Sequence, residues 1–521
     1  FKVFFPFKKN QLTIIILAST NNLENLFMLP MVKKNKNASD EASCCSTKKD
    51  CCNTSTHEVS HESCNAEQLN EEGSFHFDYE GNKIHFISLG CPRNLVDSEV
   101  MLGILLKAGY EVTEELEEAD FLVINTCGFL EASRKESMDT VKETLANRKK
   151  TAKLVVTGCM VQTHHDEMEK QFPGIDYLLG SGDVQGILNA VQSTQKGKMV
   201  STARSFLENG EIPRQISTPK HYAYLKIAEG CRKRCSYCVI PTIKGPLKSK
   251  SQEQILKEFT HLLNEGVHEI ILIAQDLGDY GKDLGSKNQQ ALIELLKSML
   301  AIDKKFWLRL LYLYPDEITD ELIALIKSDP RICPYLDMPI QHINNAMLKS
   351  MRRATSKEDI IQTITKLRKE VPGVVIRTSL IVGFPGETEE QFEELAQFIQ
   401  DYPLDNIGIF KYSREPGSHS FDLPNQIDED VKEKRYHRLM KIQQKVIKKL
   451  NSAYIGKKLP VVVEGYHHET NLLMVGRFYG QCPEIDGQII INDGRKVKAF
   501  GQLYTVEVTD VAGYDLVGRV L

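Results

Sequence analysis

Apolar positions follow two alternating rhythms along most of the chain, and the alternation predicts the architecture. Ile84-His85-Phe86-Ile87-Ser88-Leu89 reads as a short buried strand, and Asn94 to Ala108 has helical spacing through Leu95, Val96, Val100, Met101, Ile104 and Leu105. Phe121–Asn125 and Leu154–Thr157 repeat the strand signal, each followed by a helix, the first to about Lys149 and the second from His165 to Gln171. Strands alternating with helices predict a doubly wound parallel sheet over residues 82–200. The rhythm resumes at Tyr222–Ala228, with further strands expected at Glu269–Ala274, Trp307–Tyr312, Tyr335–Pro339, Val374–Val382 and Ile407–Tyr412. These units predict a full or partial (β/α) barrel over 221–453, with its active face at the carboxyl ends of the strands and a long charged helix at 428–453. After residue 454 the pattern changes. Val461–Glu464, Met474–Arg477, Gln488–Ile491 and Tyr504–Val508 read as strands punctuated by glycines and by Asn492-Asp493-Gly494, which predicts a small antiparallel β-barrel over 454–521.

Two stretches lack either rhythm. Residues 201–220 are expected to be a linker. Residues 1–81 are expected to be a disordered extension, because Lys33–Gly73 is polar and offers too little apolar surface to offset its ordering entropy. The chain opens on Phe1, so Met28 or Met31 is a candidate translation start. Leu12–Ala18 behind Lys8 and Lys9 is only a faint signal-peptide pattern. No run of 18 apolar residues exists, so no spanning helix and no membrane partner are expected, and the cytoplasm is the expected location. Lys and Arg total 65 against 70 Asp and Glu, a formal net charge of −5. Nothing global therefore attracts nucleic acid.

The thirteen cysteines carry the chemistry. Cys44, Cys45, Cys51, Cys52 and Cys64 fall in the extension and are read as incidental thiols. Cys91, Cys127 and Cys159 each sit just past one strand of the first sheet, at the edge where open parallel sheets bind ligands. Gly90, Gly128 and Gly158 allow close backbone approach there. One such thiol would be an ordinary small hydrophobe; three at equivalent strand ends favour a shared metal site. Cys231-Arg232-Lys233-Arg234-Cys235-Ser236-Tyr237-Cys238 is a CxxxCxxC motif directly after a strand. Three thiolates hold three irons of a [4Fe–4S] cluster and leave the fourth open. Structural zinc would want a fourth ligand nearby, and the next histidine is His261.

This motif, on a barrel of this size, resembles the radical S-adenosylmethionine (SAM) superfamily, and Tyr237 matches that family's adenine-side contact. More narrowly, residues 83–521 resemble the methylthiotransferases: an N-terminal unit with three cluster-binding cysteines, a radical SAM barrel and a small β-barrel called TRAM. Gly90-Cys91-Pro92-Arg93-Asn94, Asp97-Ser98-Glu99, Asn125-Thr126-Cys127 and Thr157-Gly158-Cys159-Met160 match the family's opening motifs. Ser379 to Thr388 matches a glycine-containing strand end beside SAM. The resemblance implies two [4Fe–4S] clusters, one on Cys91, Cys127 and Cys159 and one on Cys231, Cys235 and Cys238. It also implies SAM held near Tyr237, Gly383, Gly386 and Glu387, two SAM consumed per product, and a low-potential electron donor such as flavodoxin or ferredoxin.

Branches of the family modify either an adenosine of tRNA or the β-carbon of an aspartate in a small-subunit ribosomal protein, the twelfth in the standard naming. Pro92, Asp337-Met338-Pro339-Ile340-Gln341-His342 and Pro483-Glu484-Ile485-Asp486-Gly487 resemble the ribosomal-protein branch; Cys482, where Ala is usual, departs from it. Residues 454–521 hold seven Lys and Arg against eight Asp and Glu. A tRNA-gripping unit should be basic, so tRNA is the weaker alternative, ahead of a non-catalytic iron–sulfur or zinc assembly factor. Gln275 and Asp276 at a strand end either bind SAM or cap the next loop. His342 either faces the substrate or is structural. Cys333 is read as packing, the His164-His165 and His467-His468 pairs as surface, and Arg352-Arg353 as solvated.

Overall fold

The computed structural model describes residues 81–201, 213–287 and 290–521. The cysteines of the extension, with the rest of residues 1–80, lie outside the described residues. Among the described residues, no helix is long and apolar enough to cross a membrane.

The first unit is a six-stranded, all-parallel sheet: β1 (Lys83–Ser88), β2 (Glu111–Val112), β3 (Phe121–Thr126), β4 (Lys153–Gly158), β5 (Tyr177–Gly180) and β6 (Gly197–Met199), in the order β2-β1-β3-β4-β5-β6. Helices α1 (Pro92–Lys107), α2 (Glu131–Asn147), α3 (Cys159–Gln171) and α4 (Ile187–Gln192) cover its faces. Strands β3 and β4 are buried along nearly their whole length, as parallel strands covered on both faces must be. Helix α3 begins at Cys159 itself, earlier than its periodicity indicates, because His164 leaves helical geometry (φ −129°) and hides the first turn.

The second unit is an open barrel of six parallel strands: β7 (Tyr222–Lys226), β10 (Glu269–Ile273), β11 (Trp307–Leu310), β12 (Ile332–Asp337), β13 (Val375–Val382) and β14 (Asn406–Lys411), each beside the next. A two-stranded ribbon, β8 (Ala228–Glu229) and β9 (Lys248–Ser249), flanks the first strand. Helices α5 (Ile240–Lys244), α6 (Gln252–Asn264), α7 (Gln290–Leu300), α8 (Asp320–Ser328), α9 (Asn345–Ser350), α10 (Lys357–Glu370), α11 (Glu389–Asp401) and α12 (Glu429–Ser452) follow the strands. Capping boxes at Ser251, Ser356 and Thr388 start α6, α10 and α11. The main core lies between this sheet and its outer helices.

The last unit is a closed barrel of β15 (Lys458–His467), β16 (Thr470–Arg477), β17 (Ile489–Asp493), β18 (Gln502–Ala512) and β19 (Asp515–Val520). It is not wholly antiparallel: β17 and β19 run parallel.

Two contacts tie the units together. The segment after residue 213 is a strap rather than a loose linker. Arg214 is buried, donates to Glu99 of α1 through Nε (2.9 Å) and Nη2 (2.6 Å), and reaches Glu258 of α6 with Nη1 (2.6 Å). At the other end, the loop 478–488 seats itself under the open barrel. Tyr222 Oη donates to Glu484 (2.8 Å), Tyr335 Oη to Asp486 (2.7 Å), and Arg309 to the Tyr479 carbonyl (2.7 Å). Glu269 accepts from both Arg309 (2.7 Å) and Arg477 (2.9 Å). Cys482 and Cys333 pack in the same inner cluster, so both thiols are packing residues.

Candidate functional site

Cys91 precedes α1, Cys127 follows β3 and Cys159 follows β4. These strands are neighbours, with Ser88 opposite Asn125 and Thr126 opposite Gly158, so the register delivers all three thiols to one edge. Gly90 permits the approach: its φ is +95°, and a Cβ there would stand 2.9 Å from Cys127 Cβ. Asn94 and Asn125 brace the edge, Asn94 donating to the Leu89 carbonyl (2.6 Å) and Asn125 to the Asn94 carbonyl (3.0 Å). Burial pushes the Cys159 thiol up to about 12 and the Cys127 thiol upward, and each is raised further by its neighbours in the triad. Burial also opposes ionisation of Cys91, but the Arg93 guanidinium and the Asn94 N–H outweigh it and hold that thiol below its ordinary value.

The second triad lies on the loop after β8. Cys231 N–H donates to the Gly245 carbonyl (3.2 Å), and Cys238 N–H to that of Cys235 (3.1 Å). Ser236 pins the loop from inside, its hydroxyl donating to the Ser350 carbonyl (2.8 Å) and its N–H to that of Met351 (3.1 Å). Lys233 anchors the other side, 2.8 Å from Glu317 and 3.4 Å from Asp276. Asp276 also accepts from Gly278 N–H (3.2 Å), so it caps the next loop. Burial pushes Cys231 to about 11 and Cys238 to about 12. Tyr237 packs with Met347, Met351, Phe384 and Tyr412.

Arg353 is the main departure from the sequence reading. It is buried rather than solvated, with its guanidinium 3.8 Å from the Tyr314 ring centroid, Nη1 3.8 Å from Cys235 Sγ, and Nη2 on the Pro339 carbonyl. Tyr314 Oη is itself 3.3 Å from Cys235 Sγ. The alternation Tyr312-Leu313-Tyr314 at the end of β11 was the available signal for this aromatic side of the site; nothing local marked Arg353.

The donor chemistry of the triads fits polynuclear clusters. All six thiols are free. Three ligand atoms come within 4.8 Å of one another at Asp276, Asp279 and Glu317 and at His467, His468 and Glu469, but at neither cysteine triad. A tetrahedral zinc with bonds of ~2.3 Å would draw three sulfurs closer than that. The thiolates must also lose protons on loading, which links assembly to pH.

The structure places Gly383 and Gly386 in the turn after β13, with φ of +73° and +81°. Phe384 joins this turn to the Tyr237 cluster. Glu387 faces inward instead of toward the opening. Its carboxylate accepts from His342 Nε2 (3.1 Å), the Gly383 N–H (2.6 Å) and Arg435 Nη1 (2.6 Å), and both Glu387 and His342 are sealed from solvent. His342 is thus structural, and Glu387 braces the turn from behind.

The two triads stand side by side. Cys159 packs against Val239 and Ile243, just after Cys238. Arg93 stands two residues after Cys91 and holds that thiol down against burial, and its charge reaches Cys238, where burial still prevails. Its Nη1 donates to the Ala274 carbonyl at the end of β10 (2.9 Å), and its guanidinium lies 4.9 Å from the Tyr312 ring centroid. Tyr312 has a left-handed φ of +63°, a strained setting for a bulky residue.

Comparison with known proteins agrees with the three-part organisation. Family models match at residues 83–180 (uncharacterized protein family UPF0004), 225–399 (radical SAM superfamily) and 455–521 (TRAM domain). A solved radical S-adenosylmethionine methyltransferase, TsrM from Kitasatospora setae, superposes with a TM-score of 0.48 at 15% identity, over 66% of this chain and 77% of that one. The ribosomal protein uS12 methylthiotransferase RimO of Protochlamydia amoebophila is 77% identical over 87% of this chain and 95% of its own. That of Chlamydia abortus is 56% identical over 84% of this chain and 95% of its own. With similarity of this extent running through both cysteine triads and the final barrel, the chain belongs to the RimO family of ribosomal protein uS12 methylthiotransferases.

Proposed function

We propose that this protein methylthiolates ribosomal protein uS12 at the β-carbon of an aspartate. The observation that carries the reading is the pair of cysteine triads brought side by side, one on a sheet edge and one on a barrel loop, with Cys159 packed against Val239 and Ile243 directly after Cys238.

Cys231, Cys235 and Cys238 would hold one [4Fe–4S] cluster and Cys91, Cys127 and Cys159 the other, each with one iron free of protein thiolate. When bound, the cofactors supply the hard chemistry: one SAM is split reductively to methionine and a 5′-deoxyadenosyl radical, and a second gives its methyl group to the transferred sulfur. The chain does the positioning. Tyr237 offers an aromatic face to adenine, with Gly383 and Gly386 giving backbone room beside it. Glu387 and His342 fix that turn. Arg93 places a cation beside Cys91, which favours the thiolate form that iron requires, and Arg353 ties the loop at Cys235 to the Pro339 carbonyl. The strained Tyr312 and the Arg93 side chain lie beside the sheet-edge triad.

An electron must come from outside, and a low-potential flavodoxin or ferredoxin suits the radical cluster. A ribosomal substrate and oxygen-sensitive clusters both favour a cytoplasmic location. The TRAM unit carries no excess of positive charge, which suits a basic protein loop better than tRNA phosphates.

The test is anaerobic reconstitution with iron, sulfide, SAM and reductant, followed by mass spectrometry of uS12 and of tRNA. A methylthio mass gain on uS12 alone is expected. A gain on tRNA alone would overturn the reading.

A further inference from the structure

Buried cations in this molecule come in two kinds. Arg214, Lys226, Lys244, Arg309, Lys432, Arg435 and Arg477 each have at least one carboxylate within 4.0 Å. That is the usual requirement for a charge removed from water. Arg353 breaks the pattern, and the half-buried Arg93 resembles it: among the described residues, neither is in an ion pair with a carboxylate.

The two exceptions differ in what they face. Arg353 is turned inward, stacked on Tyr314 and tied to Cys235 and the Pro339 carbonyl, within the radical-cluster site. Arg93 is only half-buried. One nitrogen is fixed by the Ala274 carbonyl and the plane is steadied by Tyr312. This fixes the guanidinium beside the sheet-edge triad with no carboxylate within 4.0 Å among the described residues, Glu229 acting on it only from farther off. A planar fork held in that way matches a carboxylate, whose two oxygens it can meet with parallel N–H donors.

The chemistry demands such a group at this place. A C–H bond on the β-carbon of aspartate lies one bond from the side-chain carboxylate. That carbon must sit between the radical source and the sulfur source, so its carboxylate must enter the same space. An ionised carboxylate brought there without a partner would be strongly disfavoured.

We propose that Arg93 receives the side-chain carboxylate of the substrate aspartate and so selects aspartate and orients its β-carbon. This inference rests on the uS12 reading above. It makes Arg93 a specificity-determining residue rather than only a counter-charge for the sulfur-handling triad.

The experiment uses the reconstituted full-length enzyme and a uS12 loop peptide in two forms, with the target aspartate and with asparagine in its place. The wild type should methylthiolate the aspartate peptide and bind the asparagine peptide at least tenfold more weakly. Arg93→Gln should weaken binding of the aspartate peptide by about 10- to 100-fold, the loss expected when a charged hydrogen-bond partner is removed, and should bring the two peptides to similar affinity. Arg93→Lys should recover part of the difference. Iron content and S-adenosylhomocysteine formation without peptide are measured alongside, and peptide affinity is compared per cluster-loaded enzyme. The inference is overturned if the wild type binds both peptides alike, or if Arg93→Gln keeps the preference for aspartate. It is equally overturned if Arg93→Gln loses iron or methyl transfer while retaining peptide affinity, because Arg93 then serves the cluster alone. If the wild type leaves uS12 unmodified, the functional reading itself fails, and the inference with it.

Discussion

Lys244 of the barrel donates to Asp97 of α1 at 2.9 Å, and Lys226 takes the other carboxylate oxygen. Both lysines also lie near Glu229, so two cations and two carboxylates meet in a buried seam between the first unit and the barrel. Of its neighbours, Ser98 braces the first unit from within and Glu99 serves the same junction. Ser98 meets Ser88 (2.7 Å), and Glu99 binds Arg214 and the Ser217 N–H (2.8 Å). The Asp97-Ser98-Glu99 motif is thus a clasp that holds one triad beside the other.

Asp97→Ala leaves two buried ammonium groups with a single carboxylate. Removing one partner from a buried ion pair costs about 3–5 kcal/mol. The variant should melt at lower temperature and be cut between the first unit and the barrel in limited proteolysis, while its isolated cysteine motifs remain intact. An unchanged melting temperature would show that the seam is not what joins the units.

A second clasp predicts acid sensitivity. Burial raises the pKa of Glu269, but Arg477 and Arg309 outweigh it and hold the carboxyl at about 2 against 4.5 for a free glutamate. The folded value is the lower one. The stabilisation is therefore complete above pH 4.5 and is lost as pH falls from there toward 2, on the order of 3 kcal/mol in all. Trp307, the single tryptophan, pairs with Glu269 across β10 and β11 and reports on this spot. Urea unfolding followed by its fluorescence should show a loss of stability from pH 5 to pH 3 that is smaller in Glu269→Gln, a variant already weaker at pH 7. Equal acid dependence in the two proteins would exclude Glu269 as the source.

Much of this molecule is legible from local pattern. All six barrel strands overlap the apolar runs: β7, β10, β11 and β12 are buried almost throughout, and β13 and β14 keep apolar residues at alternate positions. The cysteine spacing is also readable: each thiol of the first triad comes soon after a strand, and the second is a CxxxCxxC run in the single loop after β8. What the pattern hides depends on distance or brevity. Strands β2, β5 and β6 are two to four residues long and carry too little alternation to be seen. Strand β19 escapes notice because its place is set by pairing with β17 and β18 rather than by its own sequence. Arg353 sits in a polar run after a short helix, where solvent exposure is the natural expectation, and only the fold carries it beneath Cys235. Glu387 lies in a motif that resembles a SAM-binding turn, yet its partners His342 and Arg435 come from distant segments and turn it inward.

That inward placement has a consequence for SAM binding. Glu387→Ala removes the acceptor that holds the Gly383 N–H and leaves Arg435 without its principal partner. SAM affinity should fall about 10- to 100-fold, as for other residues that orient a ligand-binding group from behind, with the iron content of the reconstituted enzyme unchanged. Equilibrium binding of SAM decides this; wild-type affinity would mean that the turn needs no brace.

Residues before the first strand should be dispensable. The family match begins at residue 83, and the polar composition of Lys33–Gly73 offers no core. A chain starting at Asn82 should bind as much iron and turn over as fast as the full protein. A drop in either would give Cys44, Cys45, Cys51, Cys52 or Cys64 a role.

The division of labour between the triads is tested most directly by measuring 5′-deoxyadenosine and methylthiolated uS12 together in two variants. Each triple Cys→Ala variant should retain about four irons, those of one remaining [4Fe–4S] cluster. With Cys91, Cys127 and Cys159 replaced, 5′-deoxyadenosine should still form while the methylthio product disappears. With Cys231, Cys235 and Cys238 replaced, both should disappear. Methylthiolated uS12 from the first variant, or 5′-deoxyadenosine from the second, would contradict the assignment of sulfur handling to the sheet edge and radical generation to the barrel.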